Sequence, residues 1–336
     1  MEFHGLRALL RPNLTSSHLI PSLPSGFLPS SCISSPHVKV LKNSVQSGLC
    51  CGSPRVFSTR IGLVPGSSKN SRVRVSASMG TSTQVREGVE LKVYETVKQL
   101  GEDLAPYVAD ISKSSIDARG VFSIVLSGGS LISTMGKLVE EPFLGKIDWS
   151  QWHVFWADER VVPLEHPDSN YKLALDGLLS KVPIPPANVH ALNDKLKPRE
   201  AAEDYESVLK QLADKKVLPL DAGGNYPRFD LILLGMGPDG HLASLFPNHP
   251  LVSKTDTWVA SIEDSPKPPP ERITLTLPVI NAAENVAFVA TGSGKADKLK
   301  LVFGGDLPFG EVPAKLVSPV NGKLVWFADK DAVSKL

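Results

Sequence analysis

An apolar run that leads into three glycines, residues 229–240, constrains this chain more than any other part of its sequence. Residues 229–234 are apolar except for Asp230 and are bounded by glycine, which predicts a short strand buried on both faces of a sheet. Gly235, Gly237 and Gly240 let the backbone bend sharply and approach a ligand closely. His241 comes next, the one side chain here that titrates near neutral pH. Because open α/β folds bind ligands where such strands end, we expect a binding site at this point.

Predicted strands and helices alternate along most of the chain. The strand patterns lie at residues 121–126, 152–156, 229–234, 286–290 and 324–327, with shorter ones at 257–261 and 272–277. Helical spacing of apolar residues predicts a helix at 87–117. Further helices are expected at 131–140, from 168 onwards, and at 198–214, where the segment is polar. This order predicts an α/β fold, a mostly parallel Rossmann-like sheet with helices on both faces, in a single domain that spans about 80–330.

The first 75 residues differ in composition from the rest. They are rich in serine, proline and glycine, and residues 1–86 contain ten lysines or arginines but a single acid, Glu2. Such a segment is typical of a plastid transit peptide, so we expect residues 1–75 to be a disordered leader, cleaved near residues 73–77. Import receptors are then expected partners. A disordered tail without an address is the alternative.

All three cysteines, Cys32, Cys50 and Cys51, lie in this leader. The processed protein then has no thiol, which excludes disulfides, thiolate catalysis and cysteine metal sites, and leaves open whether a thiol-redox protein binds it. Residues 87–336 carry 26 basic and 34 acidic residues, which argues against nucleic acid as a partner. Apolar stretches are too short for a membrane span.

The last three residues, Ser334, Lys335 and Leu336, form the tripeptide that peroxisomal import receptors recognise. An accidental helix end is the alternative. An address at each end predicts two destinations, the plastid stroma and the peroxisome, and the sequence does not show how the chain divides between them.

A glycine-rich turn, Ser127-Gly128-Gly129-Ser130, joins a predicted strand to a predicted helix. Free backbone N–H groups and a helix dipole favour an anion there, and the glycines let a phosphate come close. A tight turn capped by serine is the alternative. Arg272 and Lys295 are candidate ligands of the same phosphate, although either residue alone is more often a solvated surface charge.

Two further groups of residues at strand ends are candidates for the chemistry. Asp158-Glu159-Arg160 offers carboxylates that can accept a proton and a guanidinium group with a fixed planar arrangement of donors. A solvated turn with a local ion pair is the alternative. His241 is the candidate general base, and Asp239 could orient its ring or the water that it activates. A structural histidine with satisfied hydrogen bonds is the alternative for His241.

The glycines at 235, 237 and 240 also have the spacing of a dinucleotide-binding motif. Asp239 would place a negative charge against a pyrophosphate, and fewer than a hundred residues follow, so this interpretation is not favoured. The turn at Gly292 to Lys295 is not a Walker loop, because Ala296 stands where the magnesium-binding Ser or Thr belongs.

Taken together, these motifs resemble the 6-phosphogluconolactonase family, in its plant plastid form. The matching segments are Ser127-Gly-Gly-Ser, Trp156-Ala-Asp-Glu-Arg160, Ser169-Asn170-Tyr171, residues 235–247 and Arg272-Ile-Thr-Leu-Thr. They occur in the family's order between about Val89 and Phe327. The resemblance implies a fold similar to glucosamine-6-phosphate deaminases and ribose-5-phosphate isomerases.

The resemblance also implies an activity. This is the hydrolysis of 6-phospho-D-glucono-1,5-lactone to 6-phospho-D-gluconate in the oxidative pentose phosphate pathway, with no metal and no organic cofactor. His241 would take a proton from water, and Arg160 would stabilise negative charge at the carbonyl or bind hydroxyls. Asp158 would position His241, Arg160 or a substrate hydroxyl. The phosphate would be held by Ser127, Gly128, Gly129, Ser130, Arg272 and Lys295.

Two other functions compete with hydrolysis as explanations of these motifs. The related deaminases place a glutamate five residues after the histidine for ring opening, and this position is Phe246 here. A sugar-phosphate-sensing regulator would need a partner or DNA-binding module, typically a basic helix-turn-helix, and residues 1–86 show none. Simple ester hydrolysis is therefore the preferred prediction.

Overall fold

The apolar segment before the glycine-rich turn forms a strand, Leu231–Gly235, and its first four side chains are buried. The computed structural model describes residues 74–78, 81–86 and 89–336, all within one compact unit, Ser67–Leu336. Along this strand, Ile232 and Leu234 pack into one hydrophobic core, and the residues that alternate with them pack into a second. Both faces of the strand are therefore buried, which explains its continuous apolar sequence.

Eleven strands and seven α-helices make up the part of the chain that the structure describes. The strands are β1 (Arg74–Ser78), β2 (Thr81–Arg86), β3 (Val89–Tyr94), β4 (Phe122–Leu126), β5 (Trp152–Trp156), β6 (Asp158–Arg160), β7 (Leu231–Gly235), β8 (Val259–Ile262), β9 (Arg272–Leu275), β10 (Asn285–Ala290) and β11 (Lys323–Asp329). The helices are α1 (Val97–Arg119), α2 (Ser130–Thr134), α3 (Phe143–Lys146), α4 (Asn170–Gly177), α5 (Pro198–Asp214), α6 (Leu277–Ala282) and α7 (Ala296–Phe303).

Eight of these strands form the main sheet, in the order β1-β2-β3-β11-β10-β7-β4-β5. The six strands from β3 to β5 run parallel, whereas β1 and β2 pair antiparallel at one edge. Residues of α1 pack into the core on one face of the sheet, and residues of α5 pack into the core on the other. The predicted fold class, an α/β fold with a mostly parallel sheet covered on both faces, is confirmed.

A second, smaller sheet was not foreseen as a separate unit. It is antiparallel, in the order β6-β9-β8. Its register sets Asp158 opposite Thr274 and Arg160 opposite Arg272. Because β6 follows β5 after a single residue, this small sheet begins at the carboxyl edge of the main one. The triplet Asp158-Glu159-Arg160 and Arg272 therefore lie on neighbouring strands.

The predicted first helix, residues 87–117, is wrong in its first part. Val89, Leu91 and Val93 alternate with the period of a strand and form β3, which pairs with β11. The spacing becomes helical only afterwards, and α1 is terminated by Gly120, which follows its last residue and has a φ of 75°. The buried face of α1 includes three residues at intervals of four, namely Leu100, Leu104 and Val108.

Other predicted elements differ less from the structure. The helix predicted at 131–140 is the five-residue α2 followed by a 3₁₀ turn, Met135–Val139. The strand predicted at 272–277 ends at Leu275, and the unpredicted α6 begins two residues later. The helix predicted from 168 begins at Asn170, and the one predicted at 198–214 is confirmed as α5.

The predicted leader, residues 1–75, lies outside the described residues except for 74 and 75, which belong to β1. Its three cysteines lie outside them as well. Within the described ranges, none of the helices has the length and apolar character to cross a membrane. At the other end, Lys335 Nζ lies 2.6 Å from Asp297 Oδ1, and the N–H of Leu336 donates to the carbonyl of Val333.

Candidate active site

An open cleft of about 360 Å³ lies at the carboxyl ends of β4, β7 and β10, beside the small sheet. Its volume is in the range of small-molecule binding sites. Most of the residues predicted from the sequence line this cleft: Ser127, Gly128, Gly129, Ser130, Asp158, Arg160, His241, Arg272 and Lys295. The remaining one, Asp239, is hydrogen-bonded to His241. The fold therefore brings all the predicted site residues to one place.

His241 lies at the wall of the cleft, with Nδ1 held and Nε2 available. Nδ1 is 2.5 Å from Oδ1 of Asp239, and the ring packs against Phe246 with 4.8 Å between the two ring centroids. Burial lowers the pKa of His241 below its ordinary value, against the opposing effect of the Asp239 carboxylate. The imidazole is thus neutral at pH 7. Among the described residues none hydrogen-bonds to Nε2, so this nitrogen can accept a proton.

Asp239 is contacted from two sides. Besides His241, it has Lys267, whose Nζ is 3.1 Å from Oδ2. Burial alone would raise the pKa of Asp239, but the contacts with His241 and Lys267 outweigh this effect and hold the pKa at about 2. The carboxylate is therefore ionised at neutral pH and acts as an acceptor for the imidazole N–H.

The turn that carries His241 requires glycine for two reasons. A β-carbon on residue 237 would lie 2.0 Å from Nδ1 of His241, so a larger residue would displace the ring. Gly240 has a φ of 88°, and its N–H donates to the carbonyl of Gly237. In the described chain, β7 leads through this turn to a short 3₁₀ segment, Pro250–Ser253, and not to an α-helix. A dinucleotide motif needs a helix there, so that interpretation is excluded.

The turn Ser127–Ser130 follows β4 and forms another wall of the cleft. A β-carbon on Gly128 would lie 1.9 Å from Oδ1 of Asn170, and Gly129 has a φ of 73°. The hydroxyl of Ser127 is buried and has no hydrogen-bond partner among the described residues. Because α2 has only five residues, its dipole contributes less than the sequence suggested, and the backbone N–H groups and hydroxyls of the turn remain the main candidate donors to an anion.

The triplet Asp158-Glu159-Arg160 divides its side chains between the cleft and the protein interior. Asp158 is buried, and its Oδ2 accepts a 2.7 Å hydrogen bond from the hydroxyl of Ser244. Glu159 points the other way and accepts from the N–H groups of Asn170 and Tyr171 at the start of α4. Arg160 donates from Nη1 to the carbonyl of Asp168, while its buried Nε has no partner among the described residues.

Arg272 is more fully engaged than a surface ligand would be. Its side chain is 4 % exposed, and Nε and Nη2 donate to three consecutive carbonyl oxygens, those of Lys267, Pro268 and Pro269. Nη1 lies 3.4 Å from the hydroxyl of Ser244 and 3.9 Å from Oδ2 of Asp158. Most of the guanidinium therefore holds the loop before β9, and only its Nη1 edge is left to reach a ligand.

Lys295 comes from the turn after β10. The N–H of Gly292, at the start of this turn, donates to both carboxylate oxygens of the buried Asp329. Burial lowers the pKa of Lys295, and the positive charge of Lys267 lowers it further. Two lysine ammonium groups therefore influence each other across this part of the cleft.

Sequence reasoning missed three polar residues that the structure brings to the site. Asn170 lines the cleft and donates to the carbonyl of Asp158, Ser244 hydrogen-bonds to the Asp158 carboxylate, and Lys267 contacts both Asp239 and His241. Asn170 and Ser244 stood inside recognised motifs, so position in a motif was an available signal. Lys267 stood among prolines, and no pattern in the sequence pointed to it.

Comparison with known proteins gives a consistent result. Residues 95–326 match the family described as glucosamine-6-phosphate isomerases/6-phosphogluconolactonase. The chain is 54 % identical over 251 residues to a probable 6-phosphogluconolactonase 1 of Arabidopsis thaliana, an alignment that covers 74 % of this chain and 93 % of the relative. It is 50 % identical over 271 residues to the chloroplastic 6-phosphogluconolactonase 3 of the same plant, with 80 % and 82 % covered.

Solved structures agree with the sequence relatives. The 6-phosphogluconolactonase of Trypanosoma brucei superimposes with a TM-score of 0.63 at 28 % identity, covering 73 % of this chain and 98 % of the trypanosome protein. Both the fold and the sequence are therefore similar to those of 6-phosphogluconolactonases.

Proposed function

The chain belongs to the glucosamine-6-phosphate isomerase/6-phosphogluconolactonase family, and from this premise we propose that it hydrolyses 6-phospho-D-glucono-1,5-lactone to 6-phospho-D-gluconate in the oxidative pentose phosphate pathway. It is thus a lactonase, an esterase that acts on a cyclic ester. One observation carries the proposal. A neutral histidine, with Nδ1 held by Asp239, opens into the same cleft as the Ser127–Ser130 turn and Lys295.

In the proposed reaction, His241 is the general base. Its Nε2 removes a proton from a water molecule, and the water oxygen forms a bond to C1 of the lactone. The tetrahedral intermediate then breaks the bond between C1 and the ring oxygen, which takes the proton from His241. The open-chain product carries a carboxyl group that ionises at neutral pH. No redox partner is needed, and base catalysis of this kind contributes about 10²–10⁴ in rate.

The other residues of the cleft have supporting roles in this proposal. Arg160 stabilises the negative charge that develops on the carbonyl oxygen, and its position in the lining of the same cleft as His241 supports this role. The Ser127–Ser130 turn and Lys295 hold the 6-phosphate, together with the Nη1 edge of Arg272. Anchoring the phosphate keeps C1 beside His241 and reduces the entropy lost in the reaction. Asp158 is buried and hydrogen-bonded to Ser244, and its carboxylate positions Arg272.

The position five residues after His241 separates hydrolysis from the isomerisation of related sugar phosphates. It is occupied by Phe246, which is 1 % exposed and packs against the imidazole ring. A phenyl ring cannot transfer a proton to or from the substrate. This residue therefore supports the lactonase reaction over ring opening and deamination.

The proposed reaction is tested by following acid release from fresh lactone and subtracting the spontaneous rate. His241→Ala should lower kcat by at least about 10²-fold and leave the affinity for 6-phosphogluconate nearly unchanged, as measured by calorimetry. His249→Ala serves as the matched control, because this histidine lies outside the cleft and pairs with Asp264. If His241→Ala turns over the lactone at the normal rate, the assignment of the base is wrong.

A plastid location is part of the proposal. The similarity to a chloroplastic relative and the leader-like composition of residues 1–75 support it. We further propose that a fraction of the protein reaches the peroxisome through Ser334, Lys335 and Leu336. Fluorescent fusions test both: a tag after Leu336 should leave only plastid signal, and a tag that replaces residues 1–75 should leave only peroxisomal signal. A peroxisomal signal that persists with the tripeptide masked contradicts the second address.

A further inference from the structure

We propose that Lys267 is a positioning residue that fixes the Asp239–His241 pair in the form with the proton on Nδ1 and the lone pair on Nε2. The inference rests on the proposed function, in which His241 is the base. It assigns a task to a residue that neither the family motifs nor the predicted site included.

The contacts of Lys267 are the first argument. Its Nζ is 3.1 Å from Oδ2 of Asp239 and 3.2 Å from Nδ1 of His241, while Oδ1 of Asp239 accepts from the same Nδ1. The carboxylate is thus shared, one oxygen to the lysine and the other to the imidazole. The ionised Asp239 carboxylate can only accept, so its 2.5 Å contact with Nδ1 requires the proton on that nitrogen. The Lys267 ammonium can only donate, and it then has Oδ2 of Asp239 as its acceptor.

The loop that carries Lys267 is built to hold it in place. Prolines stand on both sides of it, at Pro266 and at 268–270, and they restrict the backbone. The N–H of Lys267 donates to the hydroxyl of Ser265, and its carbonyl accepts from both that hydroxyl and the guanidinium of Arg272. The buried Arg272 also donates hydrogen bonds to the next two carbonyls, those of Pro268 and Pro269. A lysine that served only solubility would not need such a support.

The charges around His241 indicate what this support achieves. Asp239 and Asp158 act to raise the pKa of the imidazole, and Lys267 acts to lower it, in addition to burial. Lys295 acts on Lys267 and Asp239 from the turn after β10, and Phe246, whose ring packs against the imidazole, is uncharged. Lys267 therefore opposes the carboxylates and keeps the ring neutral, in the form that can take a proton from water.

The experiment compares the wild-type chain with Lys267→Met and Lys267→Arg. Methionine keeps the length of the side chain and removes the charge, so the imidazole should hold its proton to higher pH, by about one pH unit. We expect the acid limb of kcat/KM to move up by that amount. The rate should fall by up to about tenfold on the acid side and return to the wild-type plateau above pH 8. Lys267→Arg should restore the wild-type profile.

A readout that does not depend on activity accompanies the kinetics. The titration of the His241 ring is followed by NMR of the ¹⁵N-labelled imidazole, with His241→Ala to identify the signal. The midpoint should rise in Lys267→Met and remain unchanged in Lys254→Met, a surface control paired with Asp256. This measurement still reports on Lys267 if the wild-type chain does not hydrolyse the lactone, so failure of the proposed function is distinguishable from failure of this inference.

Each other outcome overturns the inference. A midpoint of His241 that is unchanged or lower in Lys267→Met means that the lysine does not hold the pair. A rise in KM at all pH values with an unchanged acid limb means that Lys267 binds the substrate phosphate instead. A loss of kcat at the plateau that Lys267→Arg does not restore means that the ammonium group itself takes part in the chemistry.

Discussion

The side-chain oxygen Oδ1 of Asn170 occupies the place where a β-carbon on Gly128 would stand. The two positions are separated by 1.9 Å, closer than any two such atoms can approach. Asn170 is the first residue of α4, and its amide also donates to the carbonyl of Asp158. One contact thus joins the turn proposed to hold the phosphate to the strand that carries Asp158 and Arg160.

Gly128→Ala should break this connection. The added methyl group must push Asn170 away from Asp158, and a displacement of about 1 Å in a catalytic site costs on the order of 10²-fold. We expect kcat/KM to fall between about tenfold and 10²-fold, with the loss divided between KM and kcat. Gly136→Ala is the matched control, because a β-carbon there meets nothing within 4 Å. Equal activity of the two variants would mean that Asn170 adjusts without consequence.

Glu159 should make stability depend on pH. Burial raises its pKa from 4.5 to about 7, although three backbone N–H groups donate to it. Between these two values the folded chain keeps a proton that the unfolded chain has lost, so this group's contribution to stability falls as pH rises from about 4.5 to about 7. The shift corresponds to about 3 kcal/mol.

Urea unfolding of wild type and Glu159→Gln at pH 5 and pH 8 measures this contribution. The wild-type free energy of unfolding, relative to that of the glutamine variant, should decrease by about 2.5 kcal/mol between the two pH values, because part of the effect is already lost at pH 5. Glu200→Gln, an exposed change in the first turn of α5, should leave the pH dependence of wild type unaltered. A constant difference between wild type and Glu159→Gln would show that Glu159 does not bind a proton in this range.

Activity should not require a metal ion. In the described residues, histidine, cysteine, aspartate and glutamate side chains do not gather in any group of three that could hold one. The proposed reaction uses Nε2 of His241 as the base and Arg160 at the carbonyl oxygen, so a Lewis acid has no assigned role. Dialysis against EDTA should leave kcat/KM within about twofold of its initial value. Loss of activity that added Zn²⁺ or Mg²⁺ restores would contradict the mechanism.

Local patterns were sufficient to predict the elements whose sequence and burial agree. The strand β5 and the helix α5 have the predicted bounds, because an apolar run and a regular helical spacing each have one consistent interpretation. The segment of β3 was misassigned because its alternating residues also fit the spacing of the helix that follows. A short pattern can satisfy both periods, and only pairing with β11 decides between them.

The same reasoning explains which site residues were found. His241 and Asp239 are two positions apart, so a local motif contained the proposed catalytic pair. The contact between Lys267 and His241 spans 26 positions and depends on a loop that Arg272 holds. Arg272 was assigned to the phosphate from its position at a strand edge, but its main contacts are carbonyls of its own loop. Such roles require the fold, since no local pattern encodes them.

Arg272→Ala should therefore reduce stability as well as substrate binding. The change removes one donor from each of three carbonyl oxygens, although Lys267 keeps the hydroxyl of Ser265. It also removes the cation beside the buried Asp158, and breaking such a buried pair costs about 3–5 kcal/mol. We expect the free energy of unfolding in urea to fall by this amount and KM to rise. Arg199→Ala, which breaks only an exposed pair with Glu203 in α5, should change stability by less than about 0.5 kcal/mol. A large rise in KM with unchanged stability would make Arg272 a phosphate ligand alone and would contradict its role as the support of the Lys267 loop.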